Sequence, residues 1–258
     1  QFVFGNVCNS ELVSKVIEQC DTVVHMAAES HVSRSIFDNL LFYETDVLGT
    51  HSVTNAIVEH GKHIERFIHF STSEVYGTAI TPVMTEEHPL LPSSPYASAK
   101  AGADRLVYSY WCTYGIPAVI LRPFNQYGSF QHLEKMLPRF ITSCVLNESI
   151  TVHGDGKQTR SFCYVSDLVK GILKLMKSDC HEPVNLGNPV EKTILALAEK
   201  IKQITGSDSE VILKKLPLDD PKLRRPDVSK AKEKLGWIPE VSLDDGLKRT
   251  VEWFENKL

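Results

Sequence analysis

Three short apolar runs punctuate the first half of the chain, and each ends in small, hydroxylated or helix-breaking residues. Thr22-Val23-Val24-His25-Met26 leads into Ala27-Ala28. Arg66-Phe67-Ile68-His69-Phe70 leads into Ser71-Thr72-Ser73, and Ala118-Val119-Ile120-Leu121-Arg122 is stopped by Pro123. Apolar runs of this length, bounded by breakers, predict buried strands. Between them the pattern turns helical over 46–59, closed near Gly61, and over 95–114, closed by Gly115. Pro95 suits a first helical turn, and Ser93-Ser94 supplies its cap. Strand and helix in alternation predict an α/β fold with a doubly wound parallel sheet. Ligands bind such sheets beyond the carboxyl ends of the strands, so the three strand ends are expected to converge on one crevice.

The second half is less regular. Helices are expected over 134–146, 166–177, 193–204, 229–235 and 243–254, with short strands over 183–187 and 210–213. This pattern predicts a smaller α+β unit, without a flexible linker before it.

Composition narrows the function classes. The formal net charge is −4 over 258 residues, which is not the basic footprint of a nucleic-acid binder. No apolar run approaches the ~18 residues of a membrane span, and Gln1-Phe2-Val3-Phe4-Gly5-Asn6 lacks the basic-then-apolar order of a signal peptide. Six cysteines occur without a Cys-x-x-Cys pair, so they are expected to be reduced, in keeping with a cytosolic, cytoplasmic protein. The ten histidines show no metal-ligand spacing, and no metal site is expected.

Two segments carry candidate chemistry. Tyr96-Ala97-Ser98-Ala99-Lys100 sets a phenol and an ammonium four apart on one helical face, and a cation beside a phenol favours the phenolate, a general base. Ser71-Thr72-Ser73-Glu74-Val75-Tyr76-Gly77 offers hydroxyls for proton relay and a carboxylate for carbon-acid chemistry. Taken alone, the first segment reads better as an ordinary helix surface and the second as a capped turn. Their order, strand end first and Tyr-Lys helix one connection later, lets both face the same crevice.

These segments, with His25-Met26-Ala27-Ala28-Glu29-Ser30-His31-Val32, Arg122-Pro123-Phe124-Asn125-Gln126-Tyr127-Gly128, Gly154-Asp155-Gly156-Lys157-Gln158-Thr159-Arg160 and Leu235-Gly236-Trp237, span nearly the whole chain. Together they resemble the extended short-chain dehydrogenase/reductases that modify nucleotide-activated sugars. The resemblance implies a Rossmann-type NAD-binding domain over 1–128 and a substrate domain over 129–258, with 160–190 returning to the first. It implies catalytic roles for Thr72, Ser73, Glu74, Tyr96 and Lys100. Cofactor contacts carry over to Asn6, Val7, Met26, Ala27, Ala28, Ser30, Thr45, Ser71, Tyr96, Lys100, Pro123 and Gln126. Substrate contacts carry over to Ser30, Thr72, Asn125, Lys135, Met136, Val152, His153, Arg160, Asn185 and Arg224. Helices 46–59 and 95–114 are expected to pair across a twofold axis, as a four-helix bundle in a homodimer. Such enzymes open with a strand, a Gly-rich turn on the cofactor pyrophosphate and an acidic residue on the ribose. Phe4-Gly5-Asn6-Val7 instead resembles the segment after the third strand, so a βαβ unit of about 50 residues is expected ahead of Gln1.

The shared first step implied is NAD-dependent oxidation at sugar carbon 4, and three outcomes follow from it. A 4,6-dehydratase uses a carboxylate such as Glu74 to take the carbon-5 proton and expels water from carbon 6. A UDP-glucuronate decarboxylase uses the ketone to assist loss of carbon dioxide. A 4-epimerase rotates the ketone and has little use for Glu74. The strand-end and Glu134-Lys135 motifs resemble the dehydratases, whereas Ser73 departs from the Asp of the dTDP-glucose branch. The stretch from Arg160 to Arg225-Pro226-Asp227 resembles the decarboxylases. Dehydration is the leading expectation, with decarboxylation and then epimerisation behind it. A non-catalytic NAD-sensing protein ranks last, because the Thr, Glu, Tyr and Lys are all intact.

Overall fold

A computed structural model describes residues 1–215 and 224–258. In chain order the elements begin with α1 (Ser10–Ile17), β1 (Thr22–His25), α2 (Val32–Phe37), α3 (Asn39–Phe42), a π-helical turn (Tyr43–Leu48), α4 (Gly49–His60) and β2 (Arg66–Phe70). A 3-10 turn (Ser73–Tyr76), α5 (Pro95–Tyr114), β3 (Ala118–Pro123), β4 (Gln126–Tyr127), α6 (Met136–Val145), β5 (Ile150–His153), β6 (Thr159–Ser161), β7 (Cys163–Tyr164) and α7 (Val165–Met176) follow. The chain continues through β8 (Val184–Leu186), β9 (Glu191–Thr193), α8 (Ile194–Thr205), β10 (Val211–Lys214), α9 (Ser229–Leu235) and α10 (Leu243–Glu255).

The chain divides into two compact units. The first takes residues Gln1–Gly77, Glu86–Pro123 and Lys174–Asn185, and the second takes Thr78–Thr85, Phe124–Leu173 and Leu186–Leu258. This departs from a division at residue 128 and from a smaller second part, since the two units are nearly equal in length. Residues 126–127 pair with β7 and belong to the second unit, and of the 160–190 stretch only 174–185 joins the first. The strand that returns, β8, lies beside β3.

The sheet of the first unit runs β1-β2-β3-β8. β1 and β2 pair in parallel from Thr22↔Arg66 to His25↔His69, and β2 and β3 from Phe67↔Ala118 to Phe70↔Leu121. Because the register is parallel, all three strands deliver their carboxyl ends to one side, as the alternating pattern predicts. Phe67, Ala118 and Ile120 from the strands bury against Ile17, Val53, Ile57 and Val107 from the helices. At roughly 1.5–3 kcal/mol for each large side chain, this burial is the main force holding the unit together. The α5 boundaries follow local chemistry: Ser94 Oγ accepts from Ala97 N at 3.1 Å, Pro95 occupies the first turn, and Gly115 closes the helix in a left-handed conformation.

The sequence places a helix over 46–59, but the chain is already helical from Asn39 and passes through the π turn before α4. A π turn inserts a residue and rotates the apolar face, which hides it from a period of 3.6.

In the second unit β5 pairs with β10 and β4 with β7, both parallel, while β6 and β9 pair antiparallel. Its core gathers Tyr127, Leu137, Phe140 and Ile141 with Leu197, Ile201, Leu247 and Phe254. Among the described residues, no helix is long and apolar enough to cross a membrane.

Candidate active site

The site grows from the end of β2. Phe70 is the last strand residue, and its carbonyl accepts a 2.6 Å hydrogen bond from Lys100 Nζ. Ser71 follows, with its hydroxyl donating to Asp104 Oδ2 at 2.6 Å. Thr72 then caps the 3-10 turn, its Oγ1 accepting from Glu74 N at 3.2 Å. Thr72 and Ser73 are buried and Glu74 is half-buried. Gly77 ends the turn at φ 68°, and a Cβ there would stand 2.0 Å from the Leu91 carbonyl oxygen, so only glycine fits.

α5 supplies the second half. Tyr96 and Lys100 are buried, one helical turn apart, and Asp104 lies a further turn on. Lys100 therefore ties α5, the helix that carries Tyr96, to the end of the strand that runs into the 72–74 turn. Burial pushes the Lys100 ammonium below its ordinary range, while Asp46 and Asp104 pull it back up. Asp46, in the π turn, is fully buried: its Oδ1 accepts from Glu29 N at 2.8 Å, its Oδ2 has no partner, and burial raises it to about 6 against the attraction of Lys100. His25 and His69, paired across β1 and β2 with ring centroids 5.5 Å apart, are held neutral; burial lowers His25 to about 4 and His69 well below its usual range. Thr50 Oγ1 donates to the Asp46 carbonyl, so the 3.0 Å contact from His25 Nε2 requires that nitrogen to be the protonated one.

The family described as GDP-mannose 4,6 dehydratase matches residues 1–250. The chain belongs to that family. It is 37% identical to a dTDP-D-glucose 4,6-dehydratase of Mus musculus over 98% of this chain and 74% of that protein. It is 35% identical to UDP-glucuronic acid decarboxylase 1 of Danio rerio over 97% of this chain and 61% of that one. The solved structure of a dTDP-glucose 4,6-dehydratase from Streptomyces venezuelae, determined with NAD bound, superposes with a TM-score of 0.94 at 35% identity, covering 99% of this chain and 80% of that one. The family's fold of parallel sheet and flanking helices is thus the fold of this chain.

The remaining predicted positions of this dehydratase-family chain are distributed over both units. In the first, Met26, Ala27 and Ser30 are exposed at the carboxyl end of β1, with Ala28 half-buried beside them. Asn6 Oδ1 accepts from Cys8 N at 2.8 Å, and Val7 packs on Gly49. Thr45 is half-buried in the π turn, Pro123 closes β3, and Asn185 on β8 is fully buried. In the second, Asn125 Nδ2 donates to the Ser161 carbonyl at 3.3 Å, next to Arg160, whose guanidinium donates to the Thr159 carbonyl at 2.8 Å. Gln126 donates to the Phe124 carbonyl while its Oε1 is buried without a partner. Lys135 and Met136 open α6, Val152 and His153 end β5 opposite Leu213 and Lys214, and Arg224 is buried.

Sequence reasoning assigned no role to Asp46, Asp104, Arg122 or the histidine pair. Only Asp104 left a trace, a carboxylate four residues beyond Lys100.

Proposed function

We propose that this chain is an NAD-dependent nucleotide-sugar 4,6-dehydratase working through Thr72, Glu74, Tyr96 and Lys100. The observation that carries the reading is the Lys100–Phe70 hydrogen bond, which ties the Tyr-Lys helix to the strand that runs directly into Thr72-Ser73-Glu74. Identity of 34–37% to dehydratases over nearly the whole chain supports the same reading.

The residues present fit the cofactor. Lys100 spends one of its three ammonium donors on Phe70, leaving two for a ribose diol, and Tyr96 stands one turn before it. Ser71, Thr45 and the 26–30 loop supply further contacts. Bound there, NAD would supply the hydride acceptor for carbon 4 and the hydride donor for carbon 6. Tyr96 receives the proton of the carbon-4 hydroxyl, with Thr72 in the relay and the Lys100 charge favouring the phenolate. The ketone acidifies carbon 5, where Glu74 removes the proton and passes it to the carbon-6 hydroxyl, which leaves as water; carbon 5 regains a proton when the hydride returns to carbon 6. Arg160 and Arg224 provide forked donors suited to a diphosphate. Incubation with UDP-, dTDP-, GDP- and CDP-hexoses, followed by mass spectrometry, tests the reaction: the proposal requires loss of water from one of them.

One observation favours a second reading. Ser73, 3% exposed, offers a hydroxyl rather than a carboxyl beside Thr72, so no strong acid stands there for a leaving hydroxyl. Loss of carbon dioxide from a nucleotide glucuronate would establish decarboxylation instead. An unchanged product mass would establish epimerisation.

The reading includes a homodimer built on α4 and α5, supported by the exposed Leu48 just before α4 and the exposed Tyr108 and Cys112 on α5; light scattering showing only a 29.0 kDa species would remove it. It also includes work in the cytosol, supported by six free cysteines; labelling outside that compartment would count against it.

A further inference from the structure

The turn from Ser71 to Gly77 carries the chemistry on the reading above. What fixes it lies behind it. Asp104 is fully buried on α5 and accepts from Ser71 Oγ at 2.6 Å, at the start of the turn. The same carboxylate takes both arms of Arg122, from Nε at 2.9 Å and from Nη2 at 3.0 Å. The remaining Arg122 nitrogen, Nη1, donates to Tyr76 Oη at 3.0 Å, at the end of the turn, and to the Glu86 carbonyl at 3.1 Å. Tyr76 Oη in turn donates to Asn185 Oδ1 at 2.7 Å, and Asn185 N donates to Glu86 Oε1 at 2.8 Å. Arg122, Tyr76 and Asn185 are each almost wholly out of solvent.

We propose that the Asp104–Arg122 pair is the positioning device of this turn, gripping Ser71 at one end and Tyr76 at the other so that Thr72, Ser73 and Glu74 hold one geometry through the reaction. A stability role alone is a weak explanation, because well-packed apolar residues generally match or exceed a buried ion pair in stability. The pair's particular yield is direction: a bidentate fork has one orientation, and its third nitrogen is aimed at the far end of the turn. Burial pushes the Tyr76 phenol up to about 12, so it stays protonated and serves as a fixed donor to Asn185, not as a second base. Asp104, Arg122 and Tyr76 touch no reacting atom in this account. They are positioning residues.

The proposal rests on the dehydratase reading, and Tyr76→Phe together with Glu74→Gln separates the two. Tyr76→Phe keeps the ring and removes only the hydroxyl that receives Arg122. The expected result is a fall in kcat on the order of 10²-fold, the scale of a misplaced catalytic group, with KM for the nucleotide sugar within about twofold. If Tyr76→Phe lowers the melting temperature but leaves kcat intact while Glu74→Gln is inactive, the network is structural only and the proposal falls while the reading stands. If Glu74→Gln still dehydrates at full rate, the reading itself fails and the proposal with it. Should Tyr76→Phe not fold, Arg122→Lys keeps the charge beside Asp104 without the fork. The same kcat loss at constant KM is expected there, and an unchanged kcat overturns the proposal.

Discussion

Asp46→Asn isolates the cost of a buried carboxylate beside the candidate catalytic lysine. In the wild type Asp46 Oδ1 accepts from Glu29 N and Oδ2 meets no donor. The amide keeps the first bond and removes the charge. Burial raises the Asp46 carboxyl from 3.8 to about 6, and that value already includes the attraction of Lys100. A raised carboxyl means that the native state holds its proton where the unfolded chain has released it. The contribution of Asp46 to stability is therefore largest below about pH 4 and declines as pH rises from about 4 to 6, staying lower above that. A rise of that size corresponds to on the order of 3 kcal/mol. Asp46→Asn escapes this penalty, so at pH 8 it should melt about 6–12 °C above wild type, taking roughly 2–4 °C per kcal/mol for a chain of this size. At pH 4.5 the difference should shrink to about a third of its size at pH 8. Thermal melts by circular dichroism from pH 4.5 to 8 are the assay. A melting difference that does not change with pH, or an asparagine variant less stable at pH 8, would refute the reasoning.

Further outcomes follow from the same site. Gly77→Ala must relieve a 2.0 Å approach to the Leu91 carbonyl at a φ of 68°, so it should cost on the order of 1–3 kcal/mol and lower kcat by displacing the turn; unchanged melting and turnover would show that the backbone yields there. Tyr96→Phe should fold and retain NAD while losing about 10²–10⁴ of the rate, the usual share of general-base catalysis; near-normal turnover would remove Tyr96 from its role. Because His25 is held neutral with its value lowered to about 4, the unfolded chain takes up a proton first. Stability should thus fall as pH drops from about 6.5 toward 4, and His25→Gln should flatten that limb in chemical denaturation; an unaltered slope would contradict the neutral assignment.

The parallel sheet was legible because β1, β2 and β3 are short apolar runs with breakers after them, the composition of a parallel strand buried on both faces; β2 and β3 are buried so, whereas β1, at the end of the strand order, buries only His25 and leaves Val24 exposed, against the expectation. The Tyr96–Lys100 pair was legible because helical spacing is periodic. The π turn at Tyr43–Leu48 and the two-residue strands β4 and β7 were not, since too few residues carry any period. The unit boundary at Pro123 was hidden for a different reason: the next residues are claimed by pairing with Cys163 and Tyr164, a contact remote in sequence. The Asp104–Arg122 pair joins a helix to a strand, and nothing in the spacing of the two residues announces that they meet. Arg122 reads in sequence as the polar end of a strand; in the fold it is almost completely buried.

The most direct test of the central claim is the cofactor absorbance of Glu74→Gln mixed with the substrate nucleotide sugar. An amide cannot accept the carbon-5 proton, so the first oxidation should proceed and the elimination should stop. The account predicts NADH absorbance near 340 nm (about one equivalent per site) that appears on mixing and persists, with no dehydrated product in the mass spectrum. Dehydrated product at the wild-type rate, with no standing NADH, would contradict it.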